Sequence, residues 1–479
     1  MNWFNVDKAG LAKLMAGRSK AFVLYELLQN AWDQPLALNV SVTITPVNGR
    51  PMSKIVVEDD DAEGFADLAH AYTLFAESTK KDDAEKRGRF NLGEKLVLAL
   101  SRWATIETTK GTVRFDNTGR HETRSRRKTG SCVTVSLPLT RAEHAEVTTA
   151  AFMVIPPKGV KTTINGKFLP YREAIAEFTV TLPTVIADAE GVMKPTNRQT
   201  IVRIYEPAIC EVATLYEMGI PVVETGDRYH VDVQQKVPLN MDRDNVTPSY
   251  LRAIRVAVLN TTHDRLNEVE ATKTWVKEAM SDDRVDNAAV RRTLGLRFGK
   301  NAVAYDPSDP EANKRSVAEG RQVVHGGNLS GPEWDMARRA GVLPAAGTVT
   351  PSPKPYSDGG KPLNCIPLSD WTEGMQRFAA FAKMIGYELL GANVSVQIAR
   401  EFGWNYDATY GPNTGLVVNL MRVGHKFFET IGEDQLDLLI HEYGHHYCGD
   451  HLAADFHRAL TRLGAKMTML AVKKPSAFQ

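Results

Sequence analysis

The stretch SKAFVLYELLQNAWDQ, residues 19–34, decides the fold predicted for the N-terminal part of the chain. Its apolar residues recur at helical spacing. Asn30 and Asp33 follow Glu26 by four and seven residues, so the three share one face of the helix. No Lys or Arg occurs from 21 to 34. Such a face supplies oxygen ligands for a hard divalent cation and a carboxylate that can take a proton from water. The alternative is an ordinary solvated helix face.

Three later segments combine strands with acids and glycines. VVEDDDAEGF (56–65) is typical of a strand that ends in acids, and TGSCVTVSLPL (129–139) of a strand that opens with Gly and Ser. GRFNLGEKL (88–96) is a glycine-containing turn before an apolar helix, a favourable place for phosphate. In this order the segments resemble the GHKL ATPases, the family of gyrase, Hsp90, MutL and histidine kinases. The resemblance covers about residues 15–140 and implies a Bergerat-fold α/β sandwich that holds ATP beneath a lid at 76–88.

The resemblance implies a role for each matching residue. Glu26 would be the general base that activates water, and Asn30 would ligate Mg²⁺. Asp60 would accept the adenine amino group, with the adjacent Asp59 as the alternative. The remaining cofactor-binding candidates are Asp33, Gly64, Lys80, Gly88, Asn91, Gly93 and Ser131. The sequence departs from the family at two places, because Ala62 replaces the first glycine of D-x-G-x-G and Asn91 replaces the middle glycine of the lid turn.

A further segment, QKVPLNMDRDNV (235–246), resembles the middle-domain loop of Hsp90 that reads P-L-N-x-S-R-E. The resemblance implies that Arg243 reaches the γ-phosphate and stabilises the charge of phosphoryl transfer. A surface arginine paired with a neighbouring aspartate is the alternative, and Lys236 is a second candidate for the same role. In this family ATP often brings two N-terminal domains together, which implies an ATP-dependent homodimer.

The C-terminal part of the chain contains LDLLIHEYGHHYCGDHL, residues 436–452. On a helix, His441 and His445 share one face and can chelate zinc, with Glu442 beside them as general base and His451 as third ligand. Zinc would then acidify a water for attack on a carbonyl. The alternative is a helix with surface histidines, and Asp450 or Asp455 could replace His451. Gly449 is expected to end the helix, and Tyr443 is expected to have a packing role. The pattern H-E-x-x-H-x-x-x-G-x-H resembles SprT- and WLM-type zincin peptidases.

Composition is that of an ordinary globular protein: 479 residues, a net charge of +1, and four dispersed cysteines with no C-x-x-C pair. We expect no signal peptide and no membrane span, and a cytoplasmic location. RHETRSRRK (120–128) could contact phosphates of nucleic acid or anionic lipid, but a solvated hairpin tip is the favoured interpretation because no aromatic residues interleave. Asn165-Gly166 predicts a two-residue hairpin turn. The run 249–277, just after Pro248, is expected to be helical, and 394–399 and 415–420 are expected to be strands.

We therefore expect a multidomain α/β protein with four regions. These are a GHKL ATP-binding domain (1–140), an S5-like or Hsp90-middle-like α/β transducer domain (141–300), an irregular extension with a Pro/Gly linker (301–362) and a small α+β zincin domain (363–479). The first 300 residues together resemble bacteriophage rIIA-type proteins, which implies a phage protein that acts on a host or phage protein in the host cytoplasm.

The main hypothesis is an ATPase coupled to a zinc metallopeptidase, with ATP, Mg²⁺ and Zn²⁺ as cofactors. The alternatives are a non-proteolytic clamp or chaperone with a structural or binding-only zinc module, and a MutL-like DNA-repair clamp.

Overall fold

The computed structural model describes residues 7–15, 17–65, 67–73, 84–85, 93–187, 192–239, 245–307, 309–351, 363–404, 406–411 and 415–478. The chain is a mixed α/β protein with several sheets, and it divides into two compact units, Met1–Val285 and Asp286–Gln479. Within these ranges, no helix combines the length and the apolar character needed to cross a bilayer.

The first unit begins with a sheet covered by helices. The helices are α1 (Lys8–Leu14), α2 (Ala21–Trp32), α3 (Gly93–Leu100) and α4 (Arg141–Phe152). The strands are β1 (Asn39–Pro46), β2 (Met52–Asp59), β3 (Trp103–Glu107), β4 (Thr112–Asp116), β5 (Gly119–Thr123), β6 (Cys132–Pro138), β7 (Lys161–Ile164) and β8 (Lys167–Phe168). Their order is β5-β4-β3-β6-β2-β1-β7-β8, and only β1 and β7 pair in parallel.

Helix α2 anchors this layer to the sheet. Its apolar stripe, formed by Val23, Leu24, Leu27, Leu28 and Ala31, is buried, and it packs against α3, α4 and β2. Strand β2 supplies the matching surface because alternate residues, including Ile55 and Val57, face the core. Burying the apolar stripe leaves the opposite face of α2, with Glu26, Asn30 and Asp33, only partly covered.

The predicted hairpin is confirmed. Asn165 and Gly166 connect β7 to β8, and both have positive φ, 50° and 77°. A two-residue turn of this kind needs positive φ at both positions, which Asn and Gly tolerate best. The Asn165 side chain also accepts a hydrogen bond from the backbone N–H of Ile44 at 2.7 Å, so the hairpin is tied to β1.

A second sheet completes this unit. It contains β9 (Ala176–Ala187), β10 (Met193–Tyr205), β11 (Thr214–Glu217), β12 (Ile220–Glu224) and β13 (His230–Val233), in the order β12-β11-β13-β10-β9. Helices α5 (Pro248–Thr262), α6 (Glu268–Ala271) and α7 (Thr274–Met280) follow. The sequence predicted one helix over 249–277, which is wrong. After α5 the backbone turns extended at Leu266, and Asn267 caps a new helix by accepting from the N–H of Glu270.

The second unit opens with a small helical region. It contains α8 (Asn287–Phe298), β14 (Val303–Ala304), α9 (Pro310–Ala318), β15 (Val323–Val324), α10 (Gly331–Ala340) and α11 (Ala346–Val349), with β14 and β15 paired in parallel. The irregular extension expected over 301–362 is therefore wrong for 303–349. Residues that suggest a loop act here as helix caps: Asp309 precedes Pro310 at α9, and Ser330 forms a capping box with Glu333 at α10. Residues 352–362 lie outside the described part of the chain.

The rest of the second unit is a small α+β arrangement. It contains α12 (Glu373–Leu390), β16 (Val396–Ala399), β17 (Ala408–Gly411), β18 (Gly415–Asn419), α13 (Leu420–Val423), α14 (Glu433–Gly444) and α15 (Ala454–Lys473). The sheet order is β16-β18-β17, with β17 antiparallel to β18. Helices α12, α14 and α15 share one apolar core with the sheet. Strands were predicted at both 394–399 and 415–420, and both are present.

Candidate metal centre

Helix α14 carries His441 and Glu442 of the H-E-x-x-H motif, and His445 is its C-cap residue. Glu433 and Asp434 lie in its first turn, where the helix dipole favours negative charge. Leu439 and Tyr443 are fully buried, and the Tyr443 hydroxyl donates to the carbonyl oxygen of Ala382 at 2.6 Å. These contacts fix the helix against α12. The expectation that Tyr443 has a packing role agrees with this position.

The helix ends earlier than the sequence suggested. Gly449 was expected to end it, but α14 stops at Gly444, and Gly449 has no positive φ. A Cβ on Gly444 would stand 2.8 Å from Leu460 and 3.0 Å from Phe456, so the glycine lets α15 approach closely. The first turns of α15 therefore pack directly against the end of the motif helix.

Three histidines meet where the chain returns. One nitrogen from each of His441, His445 and His451 lies within 4.8 Å of the others, and Nε2 of His451 is 3.0 Å from Nε2 of His441. Three nitrogens bound to one tetrahedral zinc at about 2.0–2.1 Å would be separated by roughly 3.3 Å. The observed cluster therefore fits one small cation. Asp450 and Asp455, the two fallback ligands, are not in this cluster.

Phe456 forms the apolar floor of the cluster. It is 2% exposed, and its ring centre lies 4.5 Å from that of His451, 5.0 Å from His445 and 5.6 Å from His441. Contact with all three rings restricts how each imidazole can turn. Asp455, its neighbour, instead pairs with Arg458 on the outside of α15.

The three imidazoles are held in the form that binds metal. Burial lowers the pKa of His441 and of His445. Burial and, next, the neighbouring His445 and His441 lower the pKa of His451 to about 4. Each histidine therefore favours the neutral state near pH 7, in which a ring nitrogen can donate its lone pair to a cation.

Glu442 is buried within the same helix. It is 8% exposed, and burial raises the pKa of its carboxyl group to about 8, while a hydrogen bond from the backbone N–H of Tyr410 acts in the opposite direction. Tyr410 belongs to strand β17, and its hydroxyl lies 3.0 Å from Nδ1 of His446. Glu442 is therefore held between the motif helix and the neighbouring strand.

An open cleft of about 1030 Å³ contains the cluster and Glu442. One wall comes from the β17 region and α14, and the other from residues 306–307, 309–310, 345 and 347–348. Asp306 and Tyr410 line this cleft, and sequence reasoning missed both. Tyr410 lies between the two strands predicted before the motif and could have been considered there. Asp306 could not, because no sequence pattern links it to a helix about 130 residues later.

In the first unit, Glu26 lies against the start of α3. A Cβ placed on Gly93 would stand 1.9 Å from the Oε2 atom of Glu26, so only glycine leaves room for this carboxylate. Asn30 and Asp33 are on the same partly covered face of α2. The structure thus brings together two of the predicted nucleotide-site residues. Glu26 supplies a carboxylate, and Gly93 is the first residue of α3.

Asp59 and Asp60 have different surroundings. Asp59, at the end of β2, is buried, and its Oδ1 accepts from the backbone N–H of Asp61 at 3.1 Å and of Ser131 at 3.2 Å. Burial raises the pKa of Asp59 to about 6. Asp60 instead accepts from the backbone N–H groups of Leu38 and Asn39, so it holds the start of β1.

Two glycines shape the loops beside these aspartates. Gly130 has φ of 70°, and a Cβ there would stand 1.9 Å from the carbonyl oxygen of Asp59. Gly64 has φ of 65° and approaches Thr109. Ala62, the departure from the family pattern, is not among the described residues with positive φ, so its methyl group causes no backbone strain there.

Four predicted site residues, Lys80, Gly88, Asn91 and Arg243, lie outside the described residues, as does most of the expected lid at 76–88. Ala84, which is described, accepts a hydrogen bond through its carbonyl oxygen from the N–H of Lys236 at 2.8 Å. Lys236 is fully buried.

The basic stretch 120–128 lies partly on the exposed strand β5. The guanidinium of Arg120 stands 3.7 Å from the ring centre of Tyr72, and Arg127 pairs with Glu58 at 3.2 Å. Two of its arginines therefore have partners within the chain.

No protein-family model matches this chain, and no curated protein sequence matches it. What the cleft does is therefore inferred from its own geometry.

Proposed function

We propose that this chain is a zinc-dependent peptidase whose catalytic module lies in the second unit, coupled to a GHKL-type ATP-binding and ATP-hydrolysing module in the first. The main support for a peptidase is that three neutral imidazoles and one buried carboxylate lie together in an open cleft. A structural zinc site would need neither the cleft nor Glu442.

Each residue of the centre would have a distinct task. His441, His445 and His451 would hold the ion through their neutral imidazoles. Zinc, when bound, supplies Lewis acidity that polarises a carbonyl group and acidifies water. Glu442 would accept a proton from the attacking water and deliver it to the departing amine. A cation beside Glu442 favours its ionised form, which opposes the effect of burial on its pKa.

Strand β17 suggests how a peptide would be placed. It lies at an edge of the described three-stranded sheet and contacts α14. An extended substrate could add to such an edge through backbone hydrogen bonds, as in other cases of strand addition. Its scissile bond would then lie along the cleft that contains Glu442.

The test uses the full chain loaded with zinc and an unfolded protein as probe, with released peptides measured over time. Glu442→Gln should keep its zinc and lose cleavage by at least about 100-fold, since a general base contributes on that scale. Glu433→Gln is the matched control, because Glu433 lies on the same helix but outside the cleft. Cleavage by Glu442→Gln at the wild-type rate would show that Glu442 is not the base.

The nucleotide module is supported by the contact of Glu26 with Gly93 and by the buried carboxylate of Asp59. Glu26 would activate water, Asn30 would ligate Mg²⁺, and Asp59 or Asp60 would accept from adenine. Glu26→Ala should bind ATP but not hydrolyse it. A non-hydrolysable ATP analogue should also shift the chain to a dimer in sedimentation. A wild-type chain that binds no ATP would remove this part of the proposal while leaving the peptidase intact.

A further inference from the structure

The cleft around the three histidines is acidic, although the whole chain has a net charge of only +1. Six aspartates line it beside Glu442, counted among the residues that the structure describes: Asp306, Asp309, Asp407, Asp434, Asp437 and Asp450. The single guanidinium in this described lining, Arg422, already pairs with Asp407 at 3.0 Å. Even a bound divalent cation would leave the cleft negative.

These carboxylates come from several separate parts of the second unit. Asp309 caps α9 by accepting from the N–H of Ala312 at 2.9 Å, and Asp450 accepts from the N–H of Leu452 at 2.9 Å. Asp434 lies in the first turn of α14, and Asp437 stands one turn before His441. A backbone hydrogen bond leaves the negative charge of a carboxylate in place, so all of these groups contribute to the field in the cleft.

We propose that the cleft selects cationic peptide segments, rich in Lys and Arg, as its substrates. This inference rests on the proposed peptidase function. Carboxylates on both walls would attract such a segment and exclude acidic ones, because charge complementarity favours the right partner and repels the wrong one. Asp434 and Asp437, both exposed on α14, are positioned to contact basic side chains near the scissile bond.

The binding experiment uses the full, zinc-loaded Glu442→Gln chain, which should bind without cleaving. Its probes are fluorescent peptides of equal length that are rich in Lys and Arg, rich in Glu, or uncharged, and binding is followed by anisotropy at low and high salt. The basic peptide should bind at least about tenfold more tightly than the acidic one, and its affinity should fall as salt rises.

Removing selected charges then shows which carboxylates cause the preference for basic peptides. Asp434→Asn together with Asp437→Asn should weaken binding of the basic peptide about tenfold and leave the uncharged peptide unchanged. The control removes two acids outside the cleft lining, Glu433→Gln with Asp455→Asn, and should change binding less than about twofold.

The possible results distinguish failure of the proposed selection of cationic substrates from failure of the proposed peptidase function. Equal binding of basic and acidic peptides, or equal weakening by the control pair, overturns the selection of cationic substrates. If the wild-type chain cleaves both kinds of peptide equally well, the selection is also wrong, but the peptidase stands. If the wild-type chain with bound zinc cleaves no probe, the peptidase proposal fails, and the binding measurements still decide whether the cleft selects cationic segments.

Discussion

Replacing Phe456 by Leu should lower the stability of the chain and, separately, weaken its affinity for zinc. Phe456 is 2% exposed and contacts all three histidine rings at centroid distances of 4.5–5.6 Å. Ring pairs of this kind contribute about 0.5–1.5 kcal/mol each beyond buried area, so losing all three should cost roughly 1.5–4.5 kcal/mol of stability. Loss of a supporting group behind metal ligands should also lower zinc affinity by about tenfold.

The control for Phe456→Leu is Leu463→Val, two turns further along α15. Leu463 is 1% exposed in the core that α12, α14 and α15 share with the sheet, and losing one methylene there should cost about 1 kcal/mol. The free energy of unfolding of the apo chain is measured by chemical denaturation, and zinc affinity by competition with a chromophoric chelator. Leu463→Val should keep the wild-type zinc affinity. If Phe456→Leu keeps it as well, the ring does not position the histidines and the reasoning is refuted.

Three further predictions concern other parts of the chain. Gly93→Ala should leave stability nearly unchanged, because Glu26 can swing away, but should lower ATP hydrolysis about 100-fold by displacing that carboxylate, as measured by phosphate release. Burial lowers the pKa of His230, so the folded state binds fewer protons than the unfolded state. The free energy of unfolding should therefore fall as pH drops below about 6.5, and this part of the pH dependence should disappear in His230→Gln. Glu333→Gln should destabilise the second unit by about 3 kcal/mol in urea denaturation, because it leaves the buried Arg297 without its counter-charge; an unchanged midpoint would contradict this.

Local patterns predicted the elements that have a repeating physical signature. The apolar stripe of α2 and the motif on α14 both follow from helical spacing, and the hairpin at 165–166 follows from the positive φ that Asn and Gly tolerate. In each case the residues that decide the structure are neighbours along the chain. His441 on α14 and His445 at its C-cap were identified for the same reason.

The errors arose where tertiary contacts decide. Helix α14 ends at Gly444, where α15 packs closely, and nothing in the local sequence distinguishes Gly444 from Gly449 as the end of the helix. Residues 303–349 were predicted as irregular because Asp, Ser, Pro and Gly are also loop residues. The same residues are helix caps when an amphipathic segment follows them.

The acidic cleft was missed for a related reason. Its carboxylates lie near positions 306, 434 and 450, so only the folded chain shows that they share one space. The net charge of +1 gave no indication of this local concentration. Asp59 and Asp60 are adjacent in sequence, and only the backbone hydrogen bonds at the end of β2 distinguish a buried carboxylate from one that holds β1.

The central claim is that three histidine nitrogens bind one zinc ion. X-ray absorption at the zinc edge, recorded on the full zinc-loaded chain, tests it most directly because it reports the number and type of ligand atoms. We predict one zinc per chain with three imidazole nitrogens and one further light ligand at about 2.0–2.1 Å, and loss of that signal in His451→Ala. A spectrum with thiolate ligands, or a chain that retains no zinc, would contradict the account.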